Sequence, residues 1–139
     1  MESFSVWHWL IVFLALTPII LIIFYIMSFR RTAAAVNAAG GSAPVNSAWL
    51  LLIPVFGMIW FFVLLIQLRR AMKNSAVGEP DNQWWVFGML AGSLSVIGVI
   101  FSAFSADLLN ILLLLVQFIF AVLHWIKVVQ LRKHFQPRL

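Results

Sequence analysis

Three polar side chains interrupt the last long apolar stretch of this chain, and they are the residues best placed to do chemistry. Asn110, Gln117 and His124 follow one another at intervals of seven, which puts them on one face of a helix. Unpaired amide and imidazole groups are costly in an apolar medium, so this polar stripe should point toward other helices. It can serve as a set of interhelical hydrogen bonds or as the lining of a polar path.

Two histidines suggest a metal hypothesis. His8 and His124 each lie near one end of an apolar run, and a pair of facing imidazoles can ligate a haem iron from both sides. A haem-type redox subunit is therefore a minor alternative to our expectation of no metal and no cofactor. Its test is a Soret band in the purified protein that disappears in the His124→Ala variant.

Other catalytic chemistry has little support in the sequence. The chain contains no cysteine, which excludes thiolate nucleophiles and thiolate metal sites. No buried acid marks a proton or ion path, because the carboxylates all lie outside the apolar runs, at Glu2, Glu79, Asp81 and Asp107. No Ser/His/Asp set, no paired carboxylates and no phosphate-binding glycine loop occur. We therefore expect a protein that is not an enzyme.

The segments that must position these residues are too apolar for a water-soluble fold. Hydrophobic residues make up 64% of the chain and charged residues 9%, against roughly 45–50% and about 25% in soluble domains. A bilayer core about 30 Å thick needs roughly 20 apolar residues per helix. Four stretches meet that need and predict an all-α membrane protein, with one transmembrane domain over residues 1–139 and spans at residues 7–27, 49–68, 84–104 and 108–128.

The pairing of these spans leaves two topologies open. Short connections favour four spans arranged as two antiparallel hairpins, the second closed across Ser105-Ala106-Asp107. The alternative is three spans plus a re-entrant hairpin, because Pro54 and Gly57 can bend the second window. In either case the first span can continue through the alanine-rich segment 32–39 until Gly40-Gly41 stops the helix.

Positive charge gives each topology an orientation. With four spans, both termini and most of the cations lie on one side, opposite Arg30 and Arg31, which favours cytoplasmic termini in a bacterial inner membrane. With the re-entrant hairpin the N-terminus is outside and all nine Lys and Arg residues are inside. The net charge of +5 needs no nucleic-acid partner, because there is no soluble basic domain. Both topologies share a set of cytoplasmic basic anchors: Arg69, Arg70, Lys73, Arg132 and Lys133.

The third window carries a regular series of small residues. They recur at steps of three and four along one helix face: Gly88, Ala91, Ser95, Gly98, Ser102 and Ser105. In lipid, close approach across small side chains is a main source of helix association. We expect this helix-packing face to meet another helix, with Gln117 level with Gly98 and His124 level with Ala91. A Gly98→Leu substitution should then force the third and fourth helices apart.

The stretch from Trp49 to Trp60, WLLLIPVFGMIW, together with the residues up to Lys73, resembles a span of several bacterial multi-pass membrane families of unknown function. The resemblance implies a small bacterial membrane protein and no particular activity. We expect a non-enzymatic accessory or scaffolding subunit, or a self-assembling oligomer, that associates in the lipid bilayer with another membrane protein or with itself. The alternative is a small oligomeric channel or transporter lined by the polar stripe. The two hypotheses differ in whether Gln117 and His124 are covered within one chain.

Overall fold

The computed structural model describes residues 3–104 and 107–136, and this part of the chain is helical with no β-strand. Three of its helices are long and apolar enough to cross a membrane, at Ser5–Ala38, Gln83–Ser102 and Asp107–Phe135. The predicted all-α class is confirmed, and these three helices have the length and composition of membrane spans. The elements in order are α1 (Ser3–Ala38), a 3-10 helix (Ser47–Leu52), α2 (Phe56–Asn74), α3 (Gln83–Ser102) and α4 (Asp107–Phe135).

The second predicted span, residues 49–68, is not one helix, and this corrects the sequence-based prediction. The 3-10 helix ends at Leu52 and α2 begins at Phe56, so a break separates them at residues 53–55. Pro54 has no N–H and disfavours a helical residue before it, and Ile53 is accordingly extended. A Cβ at Gly57 would lie only 2.5 Å from the Leu51 carbonyl oxygen, so the glycine lets the two arms approach closely.

The predicted stop at Gly40-Gly41 is confirmed. Gly40 has a φ of +89°, a left-handed conformation that glycine adopts without steric cost. The Gly41 N–H donates to the Val36 carbonyl and the Gly40 N–H donates to the Asn37 carbonyl, the pair of bonds that defines a Schellman motif. This motif ends α1 and turns the chain back.

Helices α1 and α4 lie side by side and run in the same direction. The Tyr25 hydroxyl lies 2.9 Å from His124 Nε2, and further along both helices the Thr32 hydroxyl donates to the Val128 carbonyl at 3.0 Å. Residue numbers in the two helices therefore rise together. In the predicted arrangement of two antiparallel hairpins, the first and fourth spans would run in opposite directions. The parallel pair α1 and α4 differs from that prediction.

Helix α3 runs opposite to both α4 and α2. Against α4, Gln117 bonds to Ser95 and His124 bonds to the Trp84 carbonyl, so residue numbers fall in one helix as they rise in the other. The same holds against α2, because Cβ atoms built at two glycines of α3 would approach α2 in descending order: Gly88 at Leu65 and Gly92 at Phe62.

These directions place the C-terminal ends of α1, α2 and α4 together, and we call this region the basic end. The chain beyond α2 is tied to the chain beyond α1 by a hydrogen bond from the Ala76 N–H to the Ala39 carbonyl at 2.9 Å. Residues 39–55 therefore carry the chain back along the bundle before α2 returns. All Lys and Arg residues of the described chain lie at the basic end: Arg30, Arg31, Arg69, Arg70, Lys73, Lys127, Arg132 and Lys133.

The hydrophobic core also lies toward the basic end. Its fully buried members come from every helix and include Phe29, Leu68, Trp84 and Val128. The N-terminal part of α1 and the adjoining ends of α3 and α4 expose their apolar side chains instead. Since exposed apolar surface is costly in water and not in hydrocarbon, this pattern agrees with a chain whose apolar segments are solvated by lipid.

The backbone of Val55 is strained at the turn between the 3-10 helix and α2, and this strain gives a testable prediction. Its φ of 62° and ψ of −58°, with a 2.6 Å hydrogen bond from the Phe56 N–H to the Pro54 carbonyl, form a rare and strained γ-turn. Because glycine adopts positive φ freely, Val55→Gly should raise the free energy of unfolding by about 1 kcal/mol. The control is Val77→Gly in the exposed loop after α2, which should leave stability unchanged or lower it slightly; denaturant titration in detergent measures both.

Candidate functional site

His124 is one of two buried polar side chains of the described residues, and it lies at the centre of a junction between three helices. His124 Nδ1 lies 2.8 Å from the Trp84 carbonyl oxygen, and His124 Nε2 lies 2.9 Å from the Tyr25 hydroxyl. Because a carbonyl oxygen only accepts, Nδ1 carries the imidazole proton and Nε2 accepts the proton of Tyr25. We call Tyr25, Trp84 and His124 the polar junction. It joins α1, α3 and α4 and satisfies both ring nitrogens.

Aromatic rings and a glycine enclose the imidazole. Phe61 of α2 packs edge-on against His124 with ring centroids 5.7 Å apart, and it also contacts Tyr25 at 6.1 Å. A Cβ at Gly88 would lie 2.8 Å from two atoms of the imidazole. Glycine is therefore the residue that allows α3 to lie directly against His124.

Two more hydrogen bonds attach α4 to α1 on the side toward the basic end. Thr32 is fully buried, and its hydroxyl reaches both the Ser28 carbonyl of its own helix and the Val128 carbonyl of α4, each at 3.0 Å. The Trp125 indole N–H donates to the Ser28 hydroxyl at 3.1 Å. Together with the polar junction, these bonds fix α1 and α4 in register.

Away from the basic end, an open groove of about 370 Å³ lies beside α3 and α4. The Gln117 amide donates a hydrogen bond to the Ser95 hydroxyl at 2.6 Å. The Ser95 hydroxyl in turn donates a hydrogen bond to the Ala91 carbonyl at 3.0 Å. Met58, the third residue of α2, also lines the groove. The turn between the 3-10 helix and α2 therefore lies beside the groove. We call this the polar groove; its lining is Met58, Ser95, Gly98, Val99, Ser102, Asn110, Leu114 and Gln117.

The predicted helix-packing face is divided between two environments. Gly88 and Ala91 are buried within the chain, with Gly88 against His124. Ser95, Gly98 and Ser102 line the polar groove, and the remaining member, Ser105, lies outside the described residues.

The packing at Gly98 is looser than the predicted close contact between the third and fourth helices. A Cβ there would meet only the Gln117 Oε1 atom, at 3.9 Å, which is ordinary contact and not close packing. The tight contacts of α3 are made by Gly88 and Gly92. His124 is level with Gly88, one turn from the predicted Ala91. A slightly different helix register therefore moves the tight contact toward the basic end.

The polar stripe is also divided, although its members share one helix. His124 is buried against α3 of the same chain. Gln117 bonds to α3 but also lines the polar groove, where Asn110 lies farther from the basic end.

The two histidines considered as haem ligands lie in different environments. The side chain of His8 is exposed, whereas both ring nitrogens of His124 are hydrogen-bonded. Within the described ranges, the rings that contact His124 are those of Tyr25, Phe61 and Trp84, and none of them is a second imidazole. No cluster of three or more metal-binding side chains occurs among the described residues.

The predicted basic anchors fall at the basic end, where one of them is held by the chain itself. The Arg69 guanidinium forms an ion pair with Glu79 at 3.1 Å, bonds to Asn82 at 2.7 Å and lies 4.7 Å from the centroid of the Trp85 ring. The exposed anchors are Arg70, Lys73 and Lys133, and Arg132 is half-buried.

Sequence reasoning missed the partners of His124. Tyr25 is the only tyrosine in the chain, and a single phenol in an apolar window needs a hydrogen-bond partner when buried. That signal could have matched Tyr25 with a buried histidine. The Trp84 carbonyl gave no comparable signal, because every residue has a backbone carbonyl.

Comparisons with protein-family models, with curated proteins and with solved structures return no match to this chain.

Proposed function

We propose that this chain is a non-enzymatic subunit of the bacterial inner membrane that associates there with another membrane protein or with a second copy of itself. The topology that we propose has three spans, α1, α3 and α4, and a re-entrant hairpin formed by the 3-10 helix and α2. The N-terminus then lies outside and the basic end lies in the cytoplasm.

Helix dimensions support this topology. From Trp7 to Arg30, α1 rises about 35 Å at 1.5 Å per residue, which matches a hydrocarbon core of about 30 Å with tryptophan and arginine at its two borders. From Arg69 back to Phe56, α2 covers about 20 Å, so the hairpin turns inside the bilayer. The collection of the described cations at one end agrees with the preference of Lys and Arg for the cytoplasmic side.

The observation that carries the proposed function is the exposure of the hairpin tip, residues 52–56. This segment contains the non-helical backbone of Ile53 and Val55, and its side chains are exposed, Val55 by 72%. Irregular backbone at membrane depth is tolerated where protein or a water-filled cavity covers it, and not against acyl chains. A surface of this kind needs a cover that the described chain does not provide. Strain at Val55 adds to the case, because strained backbone concentrates at functional sites.

The environment of the polar stripe favours association over a pore. His124 is buried in the polar junction, so it cannot line a channel between subunits, and the Gln117 amide at the edge of the polar groove is bonded to Ser95 of α3. The polar groove beside the hairpin tip keeps a channel or transporter as the second candidate, because Ser102 and Asn110 line it together with the turn.

Cysteine labelling at the hairpin tip separates these functions. The chain has no native cysteine, so a Val55→Cys variant carries one thiol. In native membranes we expect this thiol to form a disulfide dimer under mild oxidation, or to cross-link to a protein when it carries a photoreactive maleimide. Labelling by a membrane-impermeant maleimide would instead favour the water-filled groove of the channel hypothesis.

The matched control is Ile20→Cys, an exposed residue of α1. Because α1 and α2 run in the same direction and Tyr25 contacts Phe61, Ile20 lies at about the depth of the tip. We expect no cross-link and no labelling there. If the thiol at residue 55 behaves like the thiol at residue 20, the tip faces lipid and the proposed association is contradicted.

A further inference from the structure

We propose that Arg30 is the centre of a specific binding site for the phosphate group of an anionic phospholipid at the basic end. Arg30 projects from α1 toward the start of the 3-10 helix. Its guanidinium carbon lies 5.5 Å from the centroid of the Trp49 ring, and Nη2 is 3.5 Å from the Asn46 side-chain oxygen. The side chain is thus held in place between two elements.

The site has hydrogen-bond donors without acceptors. Arg30 Nε and the Ser47 hydroxyl are both buried and lack a hydrogen-bond partner within the described residues. The ion pair found in that part of the chain joins Arg69 and Glu79, so no carboxylate neutralises Arg30. A buried donor without an acceptor is costly, and a phosphate oxygen is the acceptor whose geometry and charge suit a guanidinium best.

The location favours a lipid as the source of the phosphate. Trp49 is 40% exposed, and indole rings prefer the headgroup level of a bilayer. Met27, one turn before Arg30 on the same helix face, is exposed as well. A phosphodiester on Arg30 would therefore have apolar surface beside it for its acyl chains.

Arg31 provides a matched control. It follows Arg30 directly, carries the same charge and is exposed, whereas Arg30 is half-buried. General attraction to an anionic surface depends on charge near the membrane and treats both arginines alike. Binding at a specific site around Arg30 should instead be weakened much more by substitution of Arg30 than by substitution of Arg31.

The experiment is native mass spectrometry of the full chain in detergent, titrated with dioleoylphosphatidylglycerol or dioleoylphosphatidylcholine. We expect tighter binding of phosphatidylglycerol to the wild-type chain. Arg30→Gln should weaken that binding about tenfold or more, the effect of losing a charge-assisted hydrogen bond. Arg31→Gln should weaken it no more than about fivefold, the effect of one surface cation. Phosphatidylcholine carries the same phosphodiester beside a choline cation, so we expect it to bind the wild type more weakly and to lose less affinity in Arg30→Gln.

A second variant protects the test against misfolding. Arg30→Lys keeps the charge and the stem but loses the planar fork of donors, so we expect a folded protein with phosphatidylglycerol affinity reduced severalfold. Equal losses in Arg30→Gln and Arg31→Gln, or no preference of the wild type for phosphatidylglycerol, would overturn the proposal. Displacement of the lipid by equimolar inorganic phosphate would also overturn it, because a lipid site needs the acyl chains.

Discussion

Replacing His124 with alanine is expected to lower the free energy of unfolding by about 3–5 kcal/mol, the cost of removing a buried ring and leaving its polar partners unpaired. The substitution removes the acceptor of Tyr25 and the donor to the Trp84 carbonyl. It also opens a cavity against Phe61 and Gly88. Unfolding by sodium dodecyl sulfate in mixed micelles, followed by circular dichroism, measures the effect.

Two controls separate the imidazole from general damage to α4. Tyr25→Phe removes one hydrogen bond and keeps the ring, so we expect a loss of about 1 kcal/mol. His8→Ala alters an exposed histidine near the opposite end of the bundle and should change stability by less than about 0.5 kcal/mol. A His124→Ala variant as stable as His8→Ala would show that the polar junction does not hold the three helices together.

The second large effect is expected at Gly88, where leucine should destabilise the fold by about 2–3 kcal/mol through overpacking. Even a Cβ atom at this position would lie 2.8 Å from the imidazole and 2.9 Å from Leu65. The side chain of leucine would have to separate α3 from α2 and α4. The same denaturant titration reports the change.

Gly98→Leu is the matched control for this substitution. Both sites are interior to α3 and gain the same helix propensity from leucine, so propensity cancels in the comparison. A Cβ at Gly98 meets only a side-chain oxygen at 3.9 Å, and the polar groove has room for the rest. We therefore expect no destabilisation, and a gain of up to about 1 kcal/mol from helix propensity. Equal destabilisation by the two variants would contradict the helix register described above.

Hydropathy and turn residues were sufficient to predict much of the fold. The apolar runs are long, so the helical class and the candidate spans α1, α3 and α4 follow from length and composition. The end of α1 was predictable because Gly40 and Gly41 supply the special backbone of a helix stop. Small residues on α3 and large polar residues on α4 also indicated that these faces contact other helices.

The path of the second window could not be decided in the same way. A sum of hydropathies over residues 49–68 is the same whether the segment crosses or turns back, and proline and glycine also occur in straight membrane helices. The features that favour the re-entrant path are the extended Ile53 and the γ-turn at Val55, which lie between the 3-10 helix and α2 and depend on how these two elements pack together. The tight contact at Gly88 depends likewise on the register between helices, which differs by one turn from the expected one.

In the proposed topology, the loop after α1 and the loop after α2 lie on the same side of the membrane. One labelling measurement tests this placement directly. Single cysteines replace Ser42, in the loop after α1, and Val77, in the loop after α2, both exposed. An impermeant maleimide is applied to intact cells and to inside-out vesicles. The re-entrant topology predicts that both thiols are protected in cells and labelled in inside-out vesicles. Labelling of the two thiols from opposite sides would contradict it.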